Sequence, residues 1–197
     1  MEYLKEAEIQ LNDDGCTATT AVLVGQRLVV AHVGDSRAVL GEYGEAKPLT
    51  EDHKPNRPDE RERIENVGGT IIHSGTWRVS GVLAVSRSFG NRQLKQFIVP
   101  HPEIREDRLH PETSCLIVAT DGVWDVVDND EAVELVSQYE DAEAAARALA
   151  VMAYDRGSYD NISCVICKFN FGSAGSEGNV GAAVQADTAK RQNAAAE

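Results

Sequence analysis

Three aspartates stand where strands are expected to end or begin, and carboxylates in such places are candidate cation ligands. Asp121 closes the apolar run 115–119, and Asp125 follows four residues later. Asp35 comes just after the expected strand 27–33, and Asp160 just before one that starts at Ile162. A carboxylate at the mouth of a buried strand is costly to desolvate unless a partner neutralises it. Hard oxygen donors, with no His or Cys beside them, suit Mg²⁺ or Mn²⁺ rather than zinc. Aspartate is also common in ordinary turns, so a solvated Asp121-Gly122 turn, with Gly122 supplying a positive φ, is the competing reading. If the strands around 114–120 and 162–169 are antiparallel neighbours, Asp121 and Asp160 come to one edge of a sheet.

The elements that would position these carboxylates follow from periodicity and punctuation. Residues 1–11 carry Leu4, Ala7 and Leu11 at helical spacing, predicting a helical lead-in. Segments 17–24 and 27–33 flank Gly25-Gln26 as a hairpin, and 38–40 and 47–49 are two short strands. A helix is expected from a cap at Asn56, with Pro58 in its first turn, to about Val67 before Gly68-Gly69. Short strands are expected at 70–72 and 97–100. After Asp125, Asp128 and Glu131 form a capping-box pair for a helix to about Gln138, and Asp141 precedes an Ala-rich helix to about Tyr154. Residues 171–197, rich in Gly, Ala, Ser, Asn and Gln, read as a disordered tail. Many strands with few helices between them predict an α+β fold with antiparallel sheets.

A chain of 197 residues with 42% hydrophobic and 26% charged residues suits one ordinary globular domain. Its net charge of -13 argues against nucleic acid and anionic membrane as partners. No run of about 18 apolar residues predicts a membrane span, and the first residues do not read as a signal peptide, so cytoplasm or nucleus is the expected compartment. Cys164 and Cys167 have the spacing of a zinc pair, but on a strand residues three apart face opposite ways. They are expected to be buried, reduced thiols.

Six stretches then occur in one family's order: Gly34-Asp-Ser-Arg37, Asp52-His-Lys-Pro55, Glu65-Asn-Val-Gly-Gly69, Gly81-Val-Leu-Ala-Val-Ser-Arg87 with Phe89-Gly90, Asp121-Gly-Val-Trp-Asp125 and Asp160-Asn-Ile162. Together they resemble the type 2C metal-dependent protein serine/threonine phosphatases, most like plant members, over about residues 12–170. The resemblance implies a sandwich of two antiparallel β-sheets flanked by α-helices. It also implies a centre of two Mg²⁺ or Mn²⁺ ions, with a third, weaker site, whose activated water hydrolyses phosphoserine or phosphothreonine in protein substrates. By resemblance Asp121 and Asp160 match core metal ligands, and Asp35 and Asp125 match ligands of the additional site. Residues of about 52–80 match the flap that affects substrate choice. A monomer is expected.

The departures are as informative. The family pattern opens with an Arg-containing segment ending in Glu-Asp and then Asp-Gly-His-Gly-Gly, and this sequence has neither. None of His32, His53, His73, His101 or His110 sits in such a context, so no catalytic acid is assigned. The expectation is an N-terminally truncated domain, 12–170, missing its first strands and weakly active by itself. A non-catalytic phosphatase-like binding module is the alternative. Asn91 stands where Asp is usual, removing a carboxylate near the flap, and Tyr159 stands where a small residue is usual, adding bulk beside Asp160.

Overall fold

The computed structural model describes residues 13–171 and the backbone of Val180–Ala189. The helix expected over 1–11 lies outside the described residues. In chain order the strands are β1 (Gly15–Cys16), β2 (Ala18–Val24), β3 (Arg27–Val33), β4 (Arg37–Glu42), β5 (Glu45–Pro48), β6 (Ile71–Ser74), β7 (Thr76–Val79), β8 (Phe89–Gly90), β9 (Glu103–Arg108), β10 (Thr113–Ala119), β11 (Ile162–Phe171) and β12 (Val180–Ala189). The helices are α1 (Pro58–Asn66), α2 (Asp121–Trp124), α3 (Asn129–Ser137) and α4 (Ala142–Asp155). The chain divides into two compact units.

The second unit comprises Ala21–Val30, Ser36–Thr50 and the described chain from Ile104 onward. Its centre is a five-stranded sheet in the order β12-β11-β10-β4-β5. β10 is apolar on both faces, as a central strand must be when both faces are covered. On one face Val39, Ile117, Ala119, Cys164 and Ile166 pack against Val133, Val136, Ala145 and Leu149 of α3 and α4. On the other, Ala38, Leu40, Leu116, Cys167 and Phe169 meet Leu28 and Val30 of β3. That second layer belongs to the sheet β2-β3-β9, so two antiparallel sheets lie face to face with helices outside. The helices start as their sequences dictate. Asp128 and Glu131 form the reciprocal capping box of α3, and the Asp141 side chain accepts the Ala144 N–H at the start of α4, at 2.7 Å.

The first unit comprises 13–20, Ala31–Asp35 and Glu51–Glu103. α1 and the β6–β7 hairpin enclose a small apolar centre of Ile64, Val79 and Ile98. α1 begins after Arg57 rather than at an Asn56 cap, and no side chain caps it. The segment expected as a strand at 97–100 makes only one bridge, Arg87 to Val99, and serves by burying Ile98. Asn91 adopts φ 48°, a left-handed conformation that Asn tolerates better than most residues, and its N–H donates to Asp14 O at 2.9 Å. Its job here is to shape a turn.

Five strands were not expected: β1, β7, β8, β9 and β12. β9 carries Glu103, Arg105, Glu106, Asp107 and Arg108, a composition suited to a sheet edge, where charge discourages further pairing. β12 lies within 171–197, the stretch expected as a tail, and Val180–Ala189 pairs along the whole of β11. A strand edge offers a row of backbone donors and acceptors, which the backbone of another strand satisfies whatever its sequence.

Candidate metal centre

The antiparallel register of β10 and β11, ending at Ala119 opposite Cys164, brings the end of one strand beside the start of the other. Asp121 is the first residue of α2 and is half-buried; Asp160 lies just before β11 and is exposed. Beyond the last strand pair, the Thr120 N–H donates to Ser163 O at 3.0 Å, and the Thr120 hydroxyl donates to Asn161 O at 3.1 Å. Gly122 is required here by closeness. A Cβ at that position would lie 2.3 Å from Asn161 O, so only glycine lets the Asp121 turn settle against the Asp160 loop. Gly122 does not have a positive φ, so glycine is needed here for its missing Cβ and not for its backbone freedom.

Asp125 is one helical turn after Asp121 and its N–H donates to Asp121 O at 2.9 Å, which sets the two residues on one side of the turn. Trp124 anchors that turn: its indole N–H donates to Ala119 O at 2.9 Å, and the Arg37 guanidinium lies 5.3 Å from its ring centroid. Arg37 also donates to Asn129 Oδ1 at 2.9 Å. Tyr159 is 90% exposed, so its ring points into solvent. The expected bulk beside Asp160 is therefore not a plug in the loop.

Asp35 belongs to the first unit. It is 6% exposed and forms an ion pair with Lys54, a partner that nothing in the local sequence announces. Its loop is held by His53, whose backbone N–H donates to Gly34 O at 2.9 Å.

Six ordered stretches, two packed antiparallel sheets and aspartates at the strand ends all point one way, and comparison with known proteins decides it. Residues 2–162 match the family model described as protein phosphatase 2C. The chain is 55% identical over 169 residues to "Probable protein phosphatase 2C member 13, mitochondrial" of Oryza sativa subsp. japonica, covering 86% of this chain and 47% of that one. It is 52% identical over 178 residues to "Probable protein phosphatase 2C 59" of Arabidopsis thaliana, covering 90% and 57%. Among solved structures, serine-threonine phosphatase 2C from Toxoplasma gondii superposes with a TM-score of 0.74 at 31% identity, covering 86% of this chain and 63% of that chain.

The chain belongs to the protein phosphatase 2C family.

It spans about half the length of the curated phosphatase 2C relatives it matches. Metal dependence is general to phosphatase 2C proteins, and the donor chemistry at the β10–β11 end fits a hydrated Mg²⁺ or Mn²⁺. Such ions keep several waters and take one or two carboxylates, which Asp121 and Asp160 can supply. Asp121, Asp125 and Asp160 do not form a tight trio, because among the described residues only His32, His53 and Glu103 bring three potential ligand atoms within 4.8 Å of one another.

That His-His-Glu group is a poor metal site for this phosphatase 2C chain. The two imidazoles are stacked, with centroids 4.3 Å apart and planes 19° from parallel, whereas nitrogen lone pairs lie in the ring planes and must converge on an ion. His53 Nδ1 lies 3.0 Å from Gly34 N and 3.1 Å from Gly34 O, and Nε2 lies 3.4 Å from Glu103 Oε1. Glu103 is already neutralised by Arg57 and Arg87. Burial, then His32 and Arg87, pushes the His53 pKa down to about 4, so the ring is neutral at pH 7. The cluster is a buried polar brace.

Proposed function

We propose that this chain supplies the carboxylate-bearing part of a Mg²⁺- or Mn²⁺-dependent phosphatase site acting on phosphoserine and phosphothreonine in proteins. The observation that carries the reading is that Asp121 follows β10 and Asp160 precedes β11 at one end of their antiparallel pair, in a chain of the phosphatase 2C family. A divalent ion bound there acidifies water and neutralises phosphate charge. Asp121 holds the inner side of that position, half-buried at the start of α2, and Asp160 offers a carboxylate from the exposed side. Asp125 adds a carboxylate one turn along. Residues of about 52–80 serve as the flap that selects substrate.

No Arg-containing opening segment ending in Glu-Asp and no Asp-Gly-His-Gly-Gly stretch is present in these 197 residues, so two ions a fixed ~3.5–4 Å apart are not provided for by these carboxylates alone. Turnover by residues 1–197 alone is therefore expected to be weak. The test is Mn²⁺-dependent phosphate release from a phosphothreonine peptide. This chain is compared with one extended upstream to carry both motifs. The extended chain should be active, and Asp121→Asn should abolish that activity. Equal turnover by both lengths, or full activity of Asp121→Asn, overturns the proposal. A short chain that binds phosphoprotein without turnover identifies a binding module.

A further inference from the structure

We propose that the Thr120 hydroxyl is the positioning group that holds Asp121 against the Asp160 loop. It does so by taking the place of its own backbone carbonyl in the sheet. This rests on the reading of Asp121 and Asp160 as carboxylates for a divalent ion.

Directly opposed residues in an antiparallel ladder can exchange two backbone hydrogen bonds, N–H to C=O in each direction. Thr120 and Ser163 occupy the next step after Ala119 and Cys164. One bond of the exchange is ordinary, from the Thr120 N–H to Ser163 O at 3.0 Å. The other is not, because the Ser163 N–H donates to Thr120 Oγ1 at 3.1 Å. The hydroxyl proton is then free to reach Asn161 O at 3.1 Å. The displaced carbonyl accepts the Val123 N–H at 3.0 Å and starts the helical turn that carries Asp121. A threonine hydroxyl is both acceptor and donor, so one side chain closes the ladder and grips the Asp160 loop while the backbone turns away.

Without the hydroxyl, the Ser163 N–H would lose its acceptor, because the Thr120 carbonyl has two lone pairs and already takes the Val123 N–H at 3.0 Å and the Trp124 N–H at 3.4 Å. To satisfy it, either the strand end or the turn would move. Asp121 lies on the turn and Asp160 on the loop, so the distance between their carboxylates changes in both cases. Threonine at the end of an apolar strand reads in the sequence as a β-former, which is why its second task is hidden there.

The test uses the full chain in three variants, with free Mn²⁺ followed by electron paramagnetic resonance during titration. Thr120→Val keeps the shape and the β preference but removes the hydroxyl. Thr120→Ser restores the hydroxyl without the methyl. Asp121→Asn removes the carboxylate itself. Loss of an outer partner of a metal ligand typically costs 10–100-fold in affinity. Thr120→Val should weaken Mn²⁺ binding about 10-fold or more, and Thr120→Ser should bind within about 3-fold of the parent, a margin well inside that range. The unfolding temperature of each variant without metal is measured alongside. Parent-like Mn²⁺ affinity in Thr120→Val, with Asp121→Asn defective, overturns the positioning role and leaves the metal site standing. Parent-like affinity in Asp121→Asn overturns the metal reading as well. Equal weakening in Thr120→Val and Thr120→Ser also overturns the proposal, because the hydroxyl would then not be the group that matters. Should Thr120→Val fail to fold, loss of Mn²⁺ affinity in Thr120→Ser refutes the role and retention supports it.

Discussion

Replacing Glu60 with glutamine should destabilise the first unit by about 3 kcal/mol near neutral pH. Glu60 is 1% exposed on α1, and its carboxylate accepts from Arg87 at 2.7 Å and from Arg63 at 2.9 Å. Burial alone would raise its pKa, but the bonds from Arg87 and Arg63 outweigh it and hold the group from the ordinary 4.5 down to about 2. At about 1.4 kcal/mol per pH unit that difference corresponds to about 3 kcal/mol. The same size follows from the general cost, about 3–5 kcal/mol, of removing one partner from a buried ion pair. The folded pKa is below the unfolded one, so this stability is complete above about pH 4.5 and is lost as pH falls toward 2. The assay is urea unfolding followed by Trp77 fluorescence in a Trp124→Phe background, which leaves the one indole of the first unit. Parent and Glu60→Gln should differ by about 3 kcal/mol at pH 7 and converge between about pH 4.5 and 2. A difference under about 1 kcal/mol, the scale of a surface pair, would refute the reasoning. So would a gap that does not narrow with acid.

Three further outcomes are expected. Gly122→Ala should push the Asp121 turn off the Asp160 loop, since its Cβ would meet Asn161 O at 2.3 Å; the check is a Mn²⁺ titration, with unchanged affinity refuting the close approach. Cys164 and Cys167 lie in the two different apolar layers, so they should bind no zinc together; stoichiometric zinc lost on Cys164→Ser would contradict this. Lys54→Met should leave the buried Asp35 carboxylate without its ion partner and destabilise the first unit, which urea unfolding would register; unchanged stability would refute the pairing.

The strand-end aspartates were legible because each borders a run whose apolar residues must be buried. Asp121 closes β10 and Asp160 precedes β11, and the pairing assumed between those strands is the one the structure has. The capping pair Asp128 and Glu131 was legible for a similar reason, as local chemistry with a fixed spacing. What stayed hidden depended on partners far along the chain. Lys54 meets Asp35 across nineteen residues, and Thr120 meets Ser163 across forty-three. β9 was hidden because its charges suit an exposed edge, and β12 because its pairing is made by backbone rather than by apolar side chains.

The most direct test is a crystal structure of the chain grown with Mn²⁺, with the ion located by its anomalous scattering. An ion is expected at the end of the β10–β11 pair, within about 2–2.3 Å of carboxylate oxygens of both Asp121 and Asp160. An ion held instead by His32, His53 and Glu103, or none at Asp121 under saturating Mn²⁺, would contradict it.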